Sequence, residues 1–98
     1  MIEVRKTEIY QKWFESLQDA RTRARILVRI ERLAEGNPGD VRPVGQGVSE
    51  LRIDTGPGYR VYYRKLGNRL VILLAGGDKS SQAVDIRKAL ELSEGLQE

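Results

Sequence analysis

Three basic side chains stand in segments whose residue types could do chemistry: Arg52 in Leu51-Arg52-Ile53, Arg60 in Gly58-Tyr59-Arg60-Val61-Tyr62-Tyr63, and Lys79 in Gly76-Gly77-Asp78-Lys79-Ser80-Ser81-Gln82. A guanidinium fork suits phosphate because its N–H donors match paired phosphate oxygens. Period-two alternation puts Arg60, Tyr62 and Arg64 on one face of a strand, and Tyr59, Val61, Tyr63 and Lys65 on the other. Likewise Leu51 and Ile53 point away from Glu50, Arg52 and Asp54. If Leu51 and Ile53 face a core, Arg52 lies on the opposite face, and an antiparallel neighbour would bring Arg60 beside it. Guanidiniums interleaved with tyrosines on an open sheet suit RNA, with forks for phosphates and rings for stacking on unpaired bases. The same pattern also fits a solvated face where arginines pair across strands with Asp54 and Glu50.

The run Gly76-Gly77-Asp78-Lys79-Ser80-Ser81-Gln82 is a second candidate. Exposed amides at a helix start, with Asp78, Ser80 and Ser81 as polar groups and a lysine nearby, would welcome a phosphate. A helix cap behind a flexible glycine pair reads the same way. The P-loop pattern is absent, so a nucleoside triphosphate has no support. Gly56-x-Gly58 reads as a turn. Arg21, Arg25 and Arg29 follow one another at i,i+4, with Arg32 close by. Like charges at that spacing repel; a polyanion or an acidic protein would relieve them, while a solvated basic face needs neither.

The 98 residues contain no histidine and no cysteine. That removes disulfides, thiol nucleophiles, cysteine–zinc sites and the usual general base, so no metal and no cofactor are expected. Arginine outnumbers lysine twelve to five, and the net charge is +3. Its distribution is uneven: residues 37–79 carry +3, while residues 80–98 carry −2. No apolar run approaches transmembrane length, and the first residues lack the apolar stretch of a signal peptide. A cytoplasmic location away from membranes is expected.

Elements that would position these residues follow from periodicity. Ile2-Glu3-Val4 alternates as a short strand. Thr7 caps a helix carrying Ile9, Tyr10, Trp13, Phe14 and Leu17 at helical spacing. Asp19 caps a second helix to about Glu35, with Ala20, Ala24, Leu27, Ile30 and Ala34 as its apolar stripe and Ile26 and Leu33 beside it; Gly36-Asn37-Pro38-Gly39 ends it. Residues 37–47, rich in proline and glycine, read as loop. Strands are expected over Val48–Asp54, Tyr59–Leu66 and Arg69–Ala75, the last two joined by a two-residue Gly67-Asn68 turn. A final helix bears Ala83, Ile86, Ala89 and Leu90, and the tail Ser93–Glu98 is expected to fray. The order β-α-α-β-β-β-α describes one α+β domain over residues 1–98, with an N-terminal helical hairpin packed on a small, mostly antiparallel twisted sheet and a short C-terminal helix. The helices are expected on one face of the sheet.

In the three motifs quoted at the outset, and across nearly its whole length and element order, the chain resembles type II toxins of the RelE/ParE superfamily. It most resembles their HigB-like, phage-derived "addiction module killer protein" branch. The Gly-Tyr-Arg strand is shared widely in the superfamily; Gly-Gly-Asp-Lys-Ser-Ser-Gln is more specific to the branch. The resemblance implies a toxin neutralised by a cognate antitoxin in a heteromeric, 2:2 complex. RelE-like members enter the ribosome and cleave mRNA there; ParE-like members instead poison DNA gyrase by binding. By resemblance Arg60 binds the scissile phosphate, Arg52 matches a basic residue on the preceding strand, and Lys79 (or Asp78, on a one-residue shift) matches a basic position after the last strand. Tyr62, Arg64, Asp78, Ser80 and Ser81 are then RNA-binding candidates, and Arg21, Arg25 and Arg29 antitoxin or ribosomal-RNA contacts. The tyrosine that acts near the C-terminus of RelE has no match, since Ala83, Val84 and Asp85 stand there.

Cleavage of RNA by its own 2′-hydroxyl needs a proton acceptor, stabilisation of the phosphorane and a protonated leaving group. Arg60 and Arg52 suit the second need. Arginine stays protonated and serves poorly as a base. Lys79, Asp54, Asp78 and Tyr62 are the side chains here that could move the proton.

Overall fold

The computed structural model describes residues 2–96. Its elements are β1 (Glu3–Lys6), α1 (Glu8–Ser16), α2 (Ala20–Ala34), β2 (Val41–Gly45), β3 (Val48–Ile53), β4 (Tyr59–Leu66), β5 (Leu70–Gly77), a 3-10 turn (Lys79–Ser81) and α3 (Gln82–Glu94). The five strands form one sheet in the order β1-β5-β4-β3-β2. Every pairing is antiparallel except that of β1 with β5. The α+β class expected from the sequence is the one observed.

Both early helices start where capping chemistry places them. The Thr7 hydroxyl accepts from the Tyr10 amide at 3.0 Å and donates to the Leu74 carbonyl at 2.6 Å, tying α1 to β5. Asp19 accepts from the Arg21 amide at 3.0 Å and from the Thr22 hydroxyl at 3.0 Å. These bonds supply acceptors to amides that have no partner within the helix.

The stripe that α2 buries differs from the one expected. Thr22, Ile26, Ile30 and Leu33 face the sheet, whereas Ala20, Ala24 and Leu27 are exposed. The flat partner selects the widest β-branched and leucine surface, and the small alanines fall outside it. Together with Tyr10 of α1, Ile26, Ile30 and Leu33 pack on Leu51, Ile53, Val61, Tyr63, Val71 and Leu73.

Residues 41–45 are strand rather than loop. Pro43 lacks an amide and is excluded from central strands, but β2 is the sheet edge, where Pro43 pairs with Ser49 at an irregularity before Gly45. A tight turn through Gly45, Gln46 and Gly47, all at positive φ, returns the chain into β3. The β4–β5 turn is also longer than expected: Leu66 pairs with Leu70, leaving Gly67-Asn68-Arg69 between them.

α3 lies on the opposite face from α1 and α2, so the helices sandwich the sheet instead of sharing one side. Ala89, Ile86 and Leu90 cover Val48, Tyr62, Leu74 and Ala75. The apolar character of β5 on both faces follows, because it is an interior strand with helices above and below. A bulge in β5 opposite the Tyr62–Tyr63 step skips Leu74 in the register. The chain does not fray at Ser93, which is 2% exposed, and Leu96 packs against the α3 side of the core. Residues 97–98 of the expected fraying tail lie outside the described residues.

Gly76 and Gly77 have opposite neighbours. A Cβ on Gly76 would overlap the Trp13 indole, and one on Gly77 would overlap the Asp85 carboxylate. The pair is therefore a site of close approach on both faces of β5, not a flexible hinge. Gly76→Ala is expected to cost about 1–3 kcal/mol through overpacking, seen as a lower urea midpoint; an unchanged midpoint would show that Trp13 moves aside freely.

Candidate functional site

Pairing of β3 with β4 sets Arg52 opposite Arg60 and Glu50 opposite Tyr62. The juxtaposition anticipated from alternation is present. Its surroundings differ from an open face, because Arg52 and Arg60 each have a partner built into the protein.

Arg52 is held by Asp40, the residue before β2. Its Nε and Nη2 donate to Asp40 Oδ1 at 3.1 and 2.9 Å, and its amide donates to the Asp40 carbonyl at 3.0 Å. These hydrogen bonds raise the pKa of Arg52 further. Asp54, the partner considered from the sequence, is exposed at the end of β3. Asp40 could not be found without knowing that residues 41–45 add a strand.

Arg60 is mostly enclosed, its side chain 12% exposed. Nη1 donates to the Gly58 carbonyl at 2.8 Å, while Nε lies 3.4 Å from Glu50 Oε2. Glu50 is fully buried. Its carboxylate receives Gln82 Nε2 at 2.7 Å and the Tyr62 hydroxyl at 3.2 Å, and Arg42 Nη2 approaches its other oxygen at 3.5 Å. Strands β2, β3, β4 and helix α3 thus converge on one buried charge. Alternation placed Glu50 on the Arg60 face; its burial and the role of Gln82 depend on α3 folding over that face.

Tyr62 and Arg64 do not extend an RNA-facing surface. Tyr62 is fully buried, and burial followed by the nearby Glu50 charge raises its phenol above the ordinary tyrosine range. Its ring has no exposed face on which a base could stack. Arg64 turns under the end of α3, where Nη1 donates to the Ser93 carbonyl at 3.1 Å and to the Ser93 hydroxyl at 3.3 Å.

The segment after β5 is already capped. Asp78 accepts from the Ser80 amide at 2.8 Å and from the Ser80 hydroxyl at 2.5 Å, bonds that lower its carboxyl below the usual aspartate range. Ser81 donates to Asp85 at 2.5 Å. Asp78, Ser80 and Ser81 consequently satisfy one another, and the expected phosphate cradle is filled by an internal carboxylate. Lys79 is exposed beside the Gly58 turn: its amide donates to the Pro57 carbonyl at 3.4 Å, and a Cβ on Gly58 would lie 3.2 Å from Arg60 Nη1 and 3.5 Å from Lys79 Cβ. Glycine at φ +81° thus lets both basic residues crowd this turn.

Between these groups opens a cleft of about 340 Å³ lined by Asp40, Arg52, Asp54, Gly58, Tyr59 and Arg60. It offers two fixed guanidiniums and carboxylates, and among the described residues no cluster of three or more metal-ligating side chains occurs. Of the basic residues on α2, Arg21 and Arg25 are exposed. Arg29 instead donates to the carbonyls of Arg52, Pro38 and Asp40 at 2.5, 2.9 and 3.3 Å, bracing the loop that carries Asp40.

A family model described as "Phage derived protein Gp49-like (DUF891)" matches residues 12–94. The chain belongs to this Gp49-like family. A Haemophilus influenzae protein described as uncharacterized is 46% identical over 95 residues, covering 97% of this chain and 96% of the relative. Among solved structures, a mutant of E. coli toxin RelE in the free state aligns with a TM-score of 0.72 at 16% identity, over 92% of this chain and 95% of RelE. A chain of the intact E. coli RelBE toxin–antitoxin complex aligns with a TM-score of 0.65 at 15% identity, over 80% of this chain and 96% of that one. The Gp49-like chain therefore has the fold of RelE.

Two measurements probe the site's construction in this Gp49-like protein. Glu50→Ala leaves Arg60 buried without its counter-charge and is expected to cost about 3–5 kcal/mol, with Glu50→Gln milder because it keeps an acceptor; equal stability of Glu50→Ala and the parent would refute the anchoring role. Asp19 and Asp78 both have folded pKa values below the ordinary 3.8. Their stabilisation is full above that value and is lost as pH falls through the lower folded values. Thermal melts from neutral pH to about pH 2 should show Asp78→Asn, which keeps a cap without titrating, losing less stability than the parent.

Proposed function

We propose that this protein is the toxin of a type II toxin–antitoxin system, of the HigB-like branch, acting in the cytoplasm by ribosome-dependent cleavage of mRNA. The observation that carries the reading is the Arg52–Arg60 pair, set across β3 and β4 beside the cleft, on a chain with the fold of RelE. The RelBE complex supports a cognate antitoxin as partner, and a 2:2 assembly follows the resemblance. Ribosome and mRNA complete the partner set.

In the proposed reaction the mRNA 2′-oxygen attacks the adjacent phosphorus and the bond to the 5′-oxygen breaks, leaving a 2′,3′-cyclic phosphate and a 5′-hydroxyl. Arg60 and Arg52 stabilise the charge that grows on the phosphorane, and Lys79 lies beside the same turn. Tyr62 is withdrawn from proton transfer by burial and by its bond to Glu50, and the Asp78 carboxylate is engaged by Ser80. To Asp54, exposed and lining the cleft, and to Lys79, exposed beside the Gly58 turn, the proposal assigns the exchange of protons.

The test is a translating extract with mRNA ends mapped by primer extension. Codon-phased cuts are expected from the parent protein, reduced about 10²–10³-fold by Arg60→Ala. Intact mRNA together with accumulation of gyrase-cleaved DNA would replace this reading with a ParE-like, binding-only toxin.

A further inference from the structure

Donor groups in the cleft are not all used inside the protein. Arg52 spends Nε and Nη2 on Asp40, and its Nη1 has no acceptor among the described residues. Arg60 spends Nη1 on the Gly58 carbonyl and sets Nε toward Glu50, which leaves Nη2 without an acceptor among the described residues. The third unspent donor is the hydroxyl of Tyr59, which lines the same cleft and makes no hydrogen bond among the described residues.

Tyr59 differs from the other tyrosines in its surroundings. Tyr10, Tyr62 and Tyr63 are buried, whereas Tyr59 is half-buried. It pairs with Ile53 at the end of the β3–β4 ladder, and both residues line the cleft. Two neighbours hold its ring. Trp13 meets it edge-on with centroids 6.4 Å apart, and the turn closes on it at Gly56, where a Cβ would lie 3.1 Å from Cε2 and 3.9 Å from Cζ. Trp13 is in turn seated against Gly76. A phenol fixed in this way gives up little rotamer freedom when its O–H meets a ligand.

The unspent donors select the ligand. A phosphodiester carries two non-bridging oxygens on one atom, and each can accept more than one hydrogen bond, so two guanidinium nitrogens and a phenol are satisfied together. Stacking of a nucleobase on Tyr59 suits the site less well, because Trp13 and Gly56 already lie against the ring.

We propose that Tyr59 is a third phosphate-contacting residue, its hydroxyl donating to a non-bridging oxygen of the RNA phosphodiester that Arg52 and Arg60 hold. Its part in cleavage rests on the nuclease reading above: Tyr59 then shares the charge of the phosphorane with the arginines and moves no proton. The contact with phosphate stands apart from that reading.

The test pairs Tyr59→Phe, which keeps the ring against Trp13 and Gly56, with Tyr59→Leu, which removes it. Binding is read on the ¹⁵N-labelled full chain against the deoxy-dinucleotide TpT, whose phosphodiester has no neighbouring 2′-hydroxyl and stays intact. The parent protein is expected to show shifts at residues 52 and 58–60. Tyr59→Phe should weaken the affinity about tenfold at an unchanged urea midpoint. In the translating extract the same variant should cut mRNA about 10²-fold more slowly at saturating ribosomes. Parental binding and cutting by Tyr59→Phe, with both lost in Tyr59→Leu, would make Tyr59 a packing residue and overturn the proposal. Failure of the parent protein to bind TpT would overturn it as well. If the parent binds TpT, Tyr59→Phe weakens that binding and no mRNA is cut, the nuclease reading fails while the phosphate contact stands.

Discussion

Burying the Glu50 carboxylate constrains the rest of the site. A charge removed from water is tolerated only where cations and donors converge on it. Here Arg42 comes from β2, Arg60 and Tyr62 from β4, and Gln82 from the start of α3. Each contact requires the correct register between its strand and β3, and a slip of one residue would point these side chains at the helical hairpin. The same cluster fixes where the Arg60 guanidinium lies, so the group proposed to meet phosphate is oriented before any ligand arrives.

The glycine pair closing β5 belongs to the same construction. Gly76 admits Trp13 from α1 on one face and Gly77 admits Asp85 from α3 on the other. Bringing α3 this close to β5 sets Gln82 within reach of Glu50 and buries Tyr62. Packing on one face of the sheet and electrostatics on the other are therefore joined through two residues without side chains.

Electrostatic compensation shapes what the cleft can do. Arg52 is matched by Asp40 and Arg60 by Glu50, so the cationic face is ordered instead of repelling itself. Arg25 and Arg32 on α2 have no ion-pair partner among the described residues. That contrast separates a preorganised pair at the cleft from a solvated basic surface on α2.

Much was legible in the sequence alone: both helix caps, the extents of β4 and α2 to within a residue, and the meeting of Arg52 with Arg60. These are local properties, set by hydrogen-bonding side chains at helix starts and by the two-residue period of a strand. Tertiary structure decided the rest. Val41–Gly45 became a strand because β3 offered an edge that accepts proline, and Asp40 thereby reached Arg52. Ile26 rather than Leu27 entered the core because the sheet, not helical periodicity, chooses which stripe it covers. Tyr62 and Arg64 left the open face because α3 folded over them, a long-range contact with no local signature. The sequence named the arginines; three layers of packing determined which carboxylate holds each one and which face stays exposed.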